Sequence, residues 1–282
     1  MPRDAIHTYR TEHEQPVNVL TDALQSIEIN PVELCNRKCD FCPRGHDYKN
    51  NALFMNDETA HTIGQKLQNI KYTKGISFCG FGEPLMHHSI IELTKIVKSY
   101  LPSLSRYDII TNGDFLSVGK IHDLLSAGIQ CIIVNLYDDE SQKQYFKHMF
   151  EQANTDRYLF RHHYYGPEEN YGLTINNRAG SVANLKIGKP ICRACFLPFY
   201  KFVVDWDGGI ILCPQDWERR GIQGLNINEH TINEIWFSEQ FTKFRAKLSK
   251  ADRSSVPCNE CDIAGNIHGL DSFKVFVDNE ES

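Results

Sequence analysis

The feature that most limits the fold of this chain is an alternation of strand-like and helical segments from residue 26 to about residue 165. Five apolar runs recur there: SIEINPV (26–32), GISFCGF (75–81), YDIITNG (107–113), IQCIIVNLY (129–137) and YLFRHHYY (158–165). The intervening segments have helical spacing and polar start signals, such as Asn56 or Asp57, Ser117, and Asp138 or Asp139. Such alternation favours right-handed crossovers and a parallel sheet. We predict an α/β fold, a partial (β/α)6 parallel barrel with its chemistry at the carboxyl ends of the strands.

The sequence changes character after residue 180. FVVDWDGGIIL (202–212) has the pattern of a β-hairpin, and TINEIWFSEQFTKFRAKLSK (231–250) predicts one amphipathic helix capped by Thr231 or Asn233. Cysteines bracket this region, as expected of a small module held together by metal. The predicted organisation is an N-terminal extension (1–25), a barrel (26–185), a C-terminal module of hairpin plus helix (186–270) and a tail (271–282).

Composition decides how the cysteines are interpreted. The 282-residue chain has a formal net charge of -6, which gives no reason to expect nucleic acid or a membrane surface as partner. It has no apolar run of membrane-spanning length, and its polar N-terminus lacks the pattern of a secretion signal. These features predict a cytoplasmic protein. In a reducing compartment its 10 cysteines are metal ligands or catalytic thiols rather than disulfides.

Three cysteines, Cys35, Cys39 and Cys42, directly follow the first predicted strand. Their Cys-x3-Cys-x2-Cys spacing differs from the paired Cys-x2-Cys clips of zinc ribbons. Three thiolates on one loop hold three irons of a four-iron cluster and leave the fourth iron open to another ligand. The alternative is a zinc loop completed by a distant cysteine or by His46.

With Phe41 before its last cysteine, the loop resembles the Cys-x3-Cys-x-aromatic-Cys signature of radical S-adenosylmethionine (SAM) enzymes. The stretch FCGFGEPLMH (78–87) resembles the Gly-Gly-Glu-Pro motif of that family, with Phe81 where a glycine usually stands. The resemblance assigns Gly80, Gly82 and Glu83 to the methionine amino group of the cofactor. Glycine lets the backbone approach a ligand closely, and a carboxylate accepts hydrogen bonds from an ammonium group.

The resemblance implies further cofactor contacts at the ends of the next three strands. Asn112 and Asp114, within TNGDF (111–115), would contact the ribose. The same residues are also typical of a plain Asn-Gly turn. Asn135 stands where many relatives carry serine. Arg161 would hold the cofactor carboxylate as a bidentate pair, or else form a surface salt bridge.

The C-terminal cysteines resemble the SPASM/Twitch extension, which binds auxiliary four-iron clusters. The chain fits the shorter Twitch form with one cluster, whose ligands would be Cys195, Cys213, Cys258 and Cys261. Four thiolates also suit structural zinc. Cys192 satisfies the spacing as well, so it is either an alternative to Cys195 or a free thiol.

The family resemblance implies two [4Fe-4S] clusters and S-adenosyl-L-methionine as cofactors, with flavodoxin or ferredoxin as electron donor. It implies reductive cleavage of SAM to a 5'-deoxyadenosyl radical, which abstracts hydrogen from a small polar substrate. We expect a sugar or aminocyclitol alcohol to be oxidised to a ketone. Arg178 would orient the hydroxyl or the developing oxygen, and His162 would act as base.

Three alternatives remain open on the sequence. An epimerase would use Cys192 or Cys79 as its hydrogen donor. A peptide-modifying enzyme usually has a leader-binding domain, for which the 25 residues before the first strand are too few. A non-catalytic iron-sulfur electron carrier would have no use for the cofactor motif.

Overall fold

The strands belong to one open, mostly parallel sheet in the computed structural model, which describes residues 17–164, 176–263 and 269–278. Among these residues the sheet has seven strands in the order β5-β4-β3-β2-β1-β6-β7. Their bounds are β1 Ser26–Ile29, β2 Gly75–Phe78, β3 Arg106–Thr111, β4 Cys131–Leu136, β5 Tyr158–His162, β6 Lys201–Val204 and β7 Ile210–Ile211. All neighbouring pairs are parallel except β6 and β7, which form the predicted hairpin.

Helices connect the strands and flank the sheet. Their bounds are α1 Val17–Ala23, α2 Asp57–Asn69, α3 Ile90–Tyr100, α4 Val118–Ser126, α5 Glu140–Gln152, α6 Leu197–Tyr200, α7 Ile232–Trp236, α8 Glu239–Ser249 and α9 Leu270–Asp278. Three predicted caps are confirmed, because the side chains of Asn56, Ser117 and Asp139 each accept a hydrogen bond from the first turn of their helix. These caps satisfy backbone donors that a helix leaves unpaired at its start.

The two faces of the sheet differ in chemistry. Ile27, Ile29, Ile76 and Phe78 are fully buried in the core between sheet and helices. Alternate strand residues point the other way, into the interior of the partial barrel, and several of them are polar. There Lys201 Nζ lies 3.0 Å from the carboxylate of Glu28, and Arg106 Nε lies 2.9 Å from Asp108. Two charged pairs therefore lie on the interior face of the sheet.

The sixth parallel strand comes from the C-terminal region. β6 pairs with β1 in the register Ser26↔Lys201 to Ile29↔Val204, on the side of β1 opposite β2. The Asn30 N–H continues this pairing by donating to the Val204 carbonyl at 2.8 Å. The predicted hairpin is thus built into the barrel sheet.

One expectation about the C-terminal half is wrong in detail. Residues 231–250 form two helices, because Thr231 and Glu234 make a capping box for α7 and Ser238 then caps α8. The predicted tail contains α9, whose buried Phe276 has its ring centroid 5.5 Å from that of Phe199. Similarly, the predicted N-terminal extension contains α1. Within the described residues, no helix is long and apolar enough to cross a membrane.

Candidate active site

The cysteine loop begins just beyond the carboxyl end of β1. Cys35, Cys39 and Cys42 are partly buried free thiols, and the Cys42 N–H donates to the Cys39 carbonyl at 2.9 Å. Burial raises the pKa of all three thiols, and neighbouring thiols help raise that of Cys39 to about 12. Thiols that burial keeps protonated become good ligands only when positive iron stabilises their thiolates. The donor set fits a four-iron cluster with one open iron.

The loop is braced from the end of β3. Arg37 donates to both carboxylate oxygens of Asp114, at 2.6 and 2.7 Å, and also bonds Asp138. Asn36 Nδ2 donates to the same Asp114 carboxylate at 2.6 Å. Three hydrogen bonds from the cysteine loop therefore engage the Asp114 carboxylate, and its contact with the ribose stays a prediction. Asn112 Nδ2 in turn donates to Asn36 Oδ1 at 2.8 Å.

Glu83 is buried next to this loop and accepts three hydrogen bonds. Its Oε1 accepts from the Thr111 hydroxyl at 2.6 Å and the Leu85 N–H at 3.0 Å, and its Oε2 accepts from the Asn112 N–H at 2.7 Å. Burial nevertheless raises the pKa of the carboxyl to about 7, since these donors offset only part of the desolvation. A buried carboxylate of this kind is strongly favoured as the partner of a cation such as the cofactor ammonium.

The glycines around Glu83 allow a close approach to β1. Gly80 has φ +133°, and a Cβ there would lie 2.7 Å from Asn30 Cβ. At Gly82 a Cβ would lie 2.0 Å from the Val32 carbonyl oxygen. The glycines admit the residues that follow β1, which fixes the backbone next to Glu83, and their contact with a ligand stays a prediction.

Aromatic side chains stack at the ends of β4 and β5. The rings of Phe41 and His163 are stacked with centroids 5.8 Å apart, and Tyr137 stacks on both. His163 Nε2 lies 3.2 Å from Asn135 Oδ1. Burial, with the charges of Arg178 and Arg161, lowers the pKa of His163 to about 4. His163 is therefore neutral at neutral pH.

The structure corrects the choice of histidine. In the β4–β5 register His162 pairs with Leu136, a core residue that faces the helices, whereas Arg161 pairs with Asn135. Successive strand side chains point to opposite faces, so His162 points away from the barrel interior. Its ring instead packs 5.4 Å from that of Tyr164. Arg161 is exposed on the interior face, where its charge acts on His163.

The second cysteine group is buried near the hairpin. Cys195, Cys213, Cys258 and Cys261 are all at least nine-tenths buried and lie close enough for their charges to interact, whereas Cys192 is exposed. Burial raises the pKa of Cys213 well above its usual value and that of Cys258 to about 12. Among the described residues, no three His, Cys, Asp or Glu side chains converge as a single metal ion requires. The four thiolates around a four-iron cluster lie farther apart than those around a single metal ion, because each binds a different iron.

A clamp formed by Asn177, which sequence analysis did not predict, joins this group to Arg178. The Asn177 N–H donates to both oxygens of the Asp262 carboxylate at 2.9 Å, and Asn177 Nδ2 donates to the Glu260 carbonyl at 2.7 Å. Arg178 follows with φ +49° and Ala179 with φ +51°. Left-handed backbone is unfavourable for both residue types and is maintained by the surrounding contacts. Arg178 is thus held rigidly against the Cys258-x2-Cys261 segment.

The clamp directs Arg178 toward the other cysteine group. Its charge favours the thiolate of Cys42 and opposes protonation of His163. Its Nη1 makes one long contact, 3.5 Å to Gln215 Oε1, and its buried Nε has no hydrogen-bond partner within the described part of the chain. Arg178 therefore lies between the two cysteine groups with donors that the described protein groups do not satisfy.

Comparison with known proteins agrees with this geometry. Residues 195–262 match the SPASM family, an iron-sulfur cluster-binding domain. The match begins at Cys195 and so includes the four buried cysteines but not Cys192. The open parallel barrel, the three-cysteine loop after β1 and this module define a radical SAM enzyme with an auxiliary iron-sulfur module. Its cofactors are two [4Fe-4S] clusters and S-adenosyl-L-methionine.

Individual proteins and solved structures are similar to most of the chain. The chain is 28% identical over 239 residues to the S-adenosyl-L-methionine-dependent 2-deoxy-scyllo-inosamine dehydrogenase of Niallia circulans, covering 83% of this chain and 91% of that protein. The crystal structure of BtrN in complex with AdoMet and 2-DOIA matches with a TM-score of 0.73 at 28% identity, over 86% of this chain and 94% of that one. Streptococcus suis SuiB bound to its precursor peptide SuiA has a TM-score of 0.54 at 12% identity, over 87% and 76% of the two chains. This last likeness concerns the fold alone.

Proposed function

We propose that this enzyme oxidises one hydroxyl group of an aminocyclitol, or of a closely similar amino sugar, to a ketone. The observation that carries the proposal is the similarity to an aminocyclitol dehydrogenase over 83% of the chain. A shared fold alone would support only the radical SAM class, because one fold serves many reactions. The site argues for the same reaction through Arg178 and His163.

The cysteines would hold the iron-sulfur clusters, with Cys35, Cys39 and Cys42 serving the SAM-binding cluster and Cys195, Cys213, Cys258 and Cys261 the auxiliary one. When bound, the clusters and SAM supply a hydrogen-abstracting radical and an acceptor for the remaining electron. We further propose flavodoxin or ferredoxin as electron donor, in a cytoplasm reducing enough to keep all 10 cysteines free. The proposed domain boundaries are 1–25, 26–185, 186–270 and 271–282, with β6 shared between barrel and module.

Arg178 would orient the substrate oxygen. A guanidinium stays protonated in proteins and can only donate hydrogen bonds, so this residue cannot serve as the base. Its unsatisfied donors are suited to the hydroxyl that is oxidised and to the developing carbonyl oxygen. The clamp through Asn177 would keep those donors in place during turnover.

His163 is the residue to which we assign removal of the hydroxyl proton. Its neutral imidazole has one nitrogen able to accept a proton when Nε2 donates to Asn135. Arg178 lies close enough to His163 for their charges to interact. The donor for the substrate oxygen and the acceptor for its proton would thus be neighbours.

The test is turnover of 2-deoxy-scyllo-inosamine by the anaerobically reconstituted protein in heavy water. Loss of a hydrogen atom, a proton and an electron gives a ketone with no solvent deuterium at the oxidised carbon, and one 5'-deoxyadenosine per product. His163→Gln should lower the turnover number while SAM binding is retained. Recovery of the alcohol, not oxidised to a ketone and carrying solvent deuterium on carbon, would overturn the proposed oxidation.

One observation favours epimerisation as the second candidate. Cys79 follows β2 on its interior side and is buried, and burial raises the pKa of its thiol well above the usual value. The hydrogen donor of an epimerase must be a protonated thiol, and the buried Cys79 meets this requirement. The other candidate, Cys192, is exposed to solvent. Deuterium incorporation that is lost in Cys79→Ala but kept in Cys192→Ala would establish the epimerase instead.

A further inference from the structure

The unusual Phe81 in the cofactor motif is packed against the C-terminal module. Its ring centroid lies 4.6 Å from that of Trp217, and the Arg219 guanidinium carbon lies 4.9 Å from the ring centre. Both partners belong to residues 195–262, the segment that matches the SPASM family. The departure from the usual glycine therefore creates a contact between the cofactor motif and the module.

Arg219 also joins three carboxylate or phenol groups below this ring. Its Nε donates to Asp205 at 2.5 Å, its Nη2 donates to Glu33 at 2.6 Å, and its Nη1 donates to the hydroxyl of Tyr48. Glu33 and Asp205 are almost completely buried. The Arg219 backbone has φ +55°, a conformation that costs free energy for a non-glycine residue and needs surrounding contacts to hold it.

The two carboxylate partners of Arg219 lead to the backbone of Phe81. Asp205 Oδ1 accepts from Asn30 Nδ2 at 2.5 Å, and Asn30 Oδ1 accepts from the Phe81 N–H at 3.0 Å. On the other side, Arg44 Nη2 lies 3.6 Å from the Glu33 carboxylate, and Arg44 Nε donates to the Phe81 carbonyl at 2.6 Å. The N–H and the carbonyl of Phe81 are thus each held by a side chain, Asn30 or Arg44. Those two side chains in turn contact Asp205 and Glu33, the carboxylate partners of Arg219.

We infer that Arg219 is a positioning residue for SAM, so that the auxiliary module completes the cofactor site. One residue, Gly82, separates Phe81 from Glu83, whose carboxylate must meet the cofactor ammonium. Loosening the Phe81 backbone would let that carboxylate move, and a charge-assisted hydrogen bond is sensitive to such misplacement. The inference rests on the proposed assignment of the GFGEP stretch to the cofactor.

The test compares Arg219→Met and Arg219→Lys with the matched control Arg220→Met in the reconstituted protein. The side chains of Arg219 and Arg220 are equally exposed, and Arg220 bonds Glu260 at 2.6 Å without touching this network. Affinity for SAM is measured by calorimetry and iron content by chemical assay. Amide hydrogen exchange of the peptide that spans residues 78–87 is followed without SAM.

We expect Arg219→Met to weaken SAM binding by about tenfold, the loss of one well-placed hydrogen bond, and to speed exchange at residues 81–83. Arg219→Lys keeps the charge but cannot bridge three partners, so its loss should be intermediate. Arg220→Met should match the wild type in both readouts. Unchanged affinity and exchange in Arg219→Met, at wild-type iron content, would overturn the inference.

Two further results keep this test distinct from that of the cofactor assignment. If Arg219→Met does not fold, Arg219→Lys decides, and its wild-type affinity would refute the positioning role. If Glu83→Gln binds SAM as tightly as the wild type, the cofactor assignment fails whatever Arg219 does.

Discussion

Replacing Glu83 with glutamine should weaken SAM binding by about 10- to 150-fold. Three hydrogen bonds from the protein occupy Oε1 and half of the acceptor capacity of Oε2, so one lone-pair direction of Oε2 remains for the cofactor ammonium. A hydrogen bond to a charged group contributes about 1.5–3 kcal/mol, and this range gives the expected loss. Glutamine keeps the size of the side chain but removes its charge.

Calorimetric titration of the reconstituted protein with SAM measures this loss directly. Glu92→Gln is the matched control, because it removes an exposed carboxylate on α3 whose only described ion pair, with Lys95, is 4.0 Å long. It should bind SAM as the wild type does. The glutamine at position 83 can also leave the Asn112 N–H without an acceptor, so iron content and the urea midpoint are measured in parallel. A change in Kd below twofold, with the clusters intact, would refute the role of Glu83.

Three further predictions concern the auxiliary thiols and the barrel interior. Cys213→Ala should lower the iron content from about eight to about four per chain, whereas Cys192→Ala should leave it at about eight; equal losses would contradict the choice of Cys195 as ligand. Lys201→Met should lower the free energy of unfolding by about 3 kcal/mol because it leaves Glu28 buried and unpaired, and Glu28→Gln in the same chain should restore part of this loss. Burial raises the pKa of Asp108 to about 6, so its ionised form opposes folding above that pH and its protonated form does not. Asp108→Asn should therefore stabilise the protein by about 1 kcal/mol at pH 7.5 in urea unfolding, and the gain should shrink as pH falls below about 6.

Much of the barrel could be predicted because its signals are local. The five apolar runs each contain a strand, and the caps at Asn56, Ser117 and Asp139 depend only on the turn that follows them. The break at Ser238 was missed because the apolar period continues across it. A serine at that point fits an exposed helix position as well as a cap.

The missed parts of the site depend on contacts that are distant in sequence. The choice between His162 and His163 turns on the register of β5, and a shift of one residue reverses the face. Asn177 is defined by Asp262 and Glu260, far along the chain. The residues next to Asn177 in the sequence do not distinguish it from an ordinary turn residue.

The pairing of β1 with β6 has a consequence for how the protein is made. Until residue 204 has left the ribosome, the strand that leads into the cysteine loop has an open edge, because β6 is not yet available to cover it. Exposed edges recruit other strands, and late long-range pairing prolongs the time for which they are exposed. A barrel shortened before β6 would retain all three loop cysteines yet present this edge permanently. Iron insertion into the first site is thus expected to succeed only after β6 has been synthesised and has paired with β1.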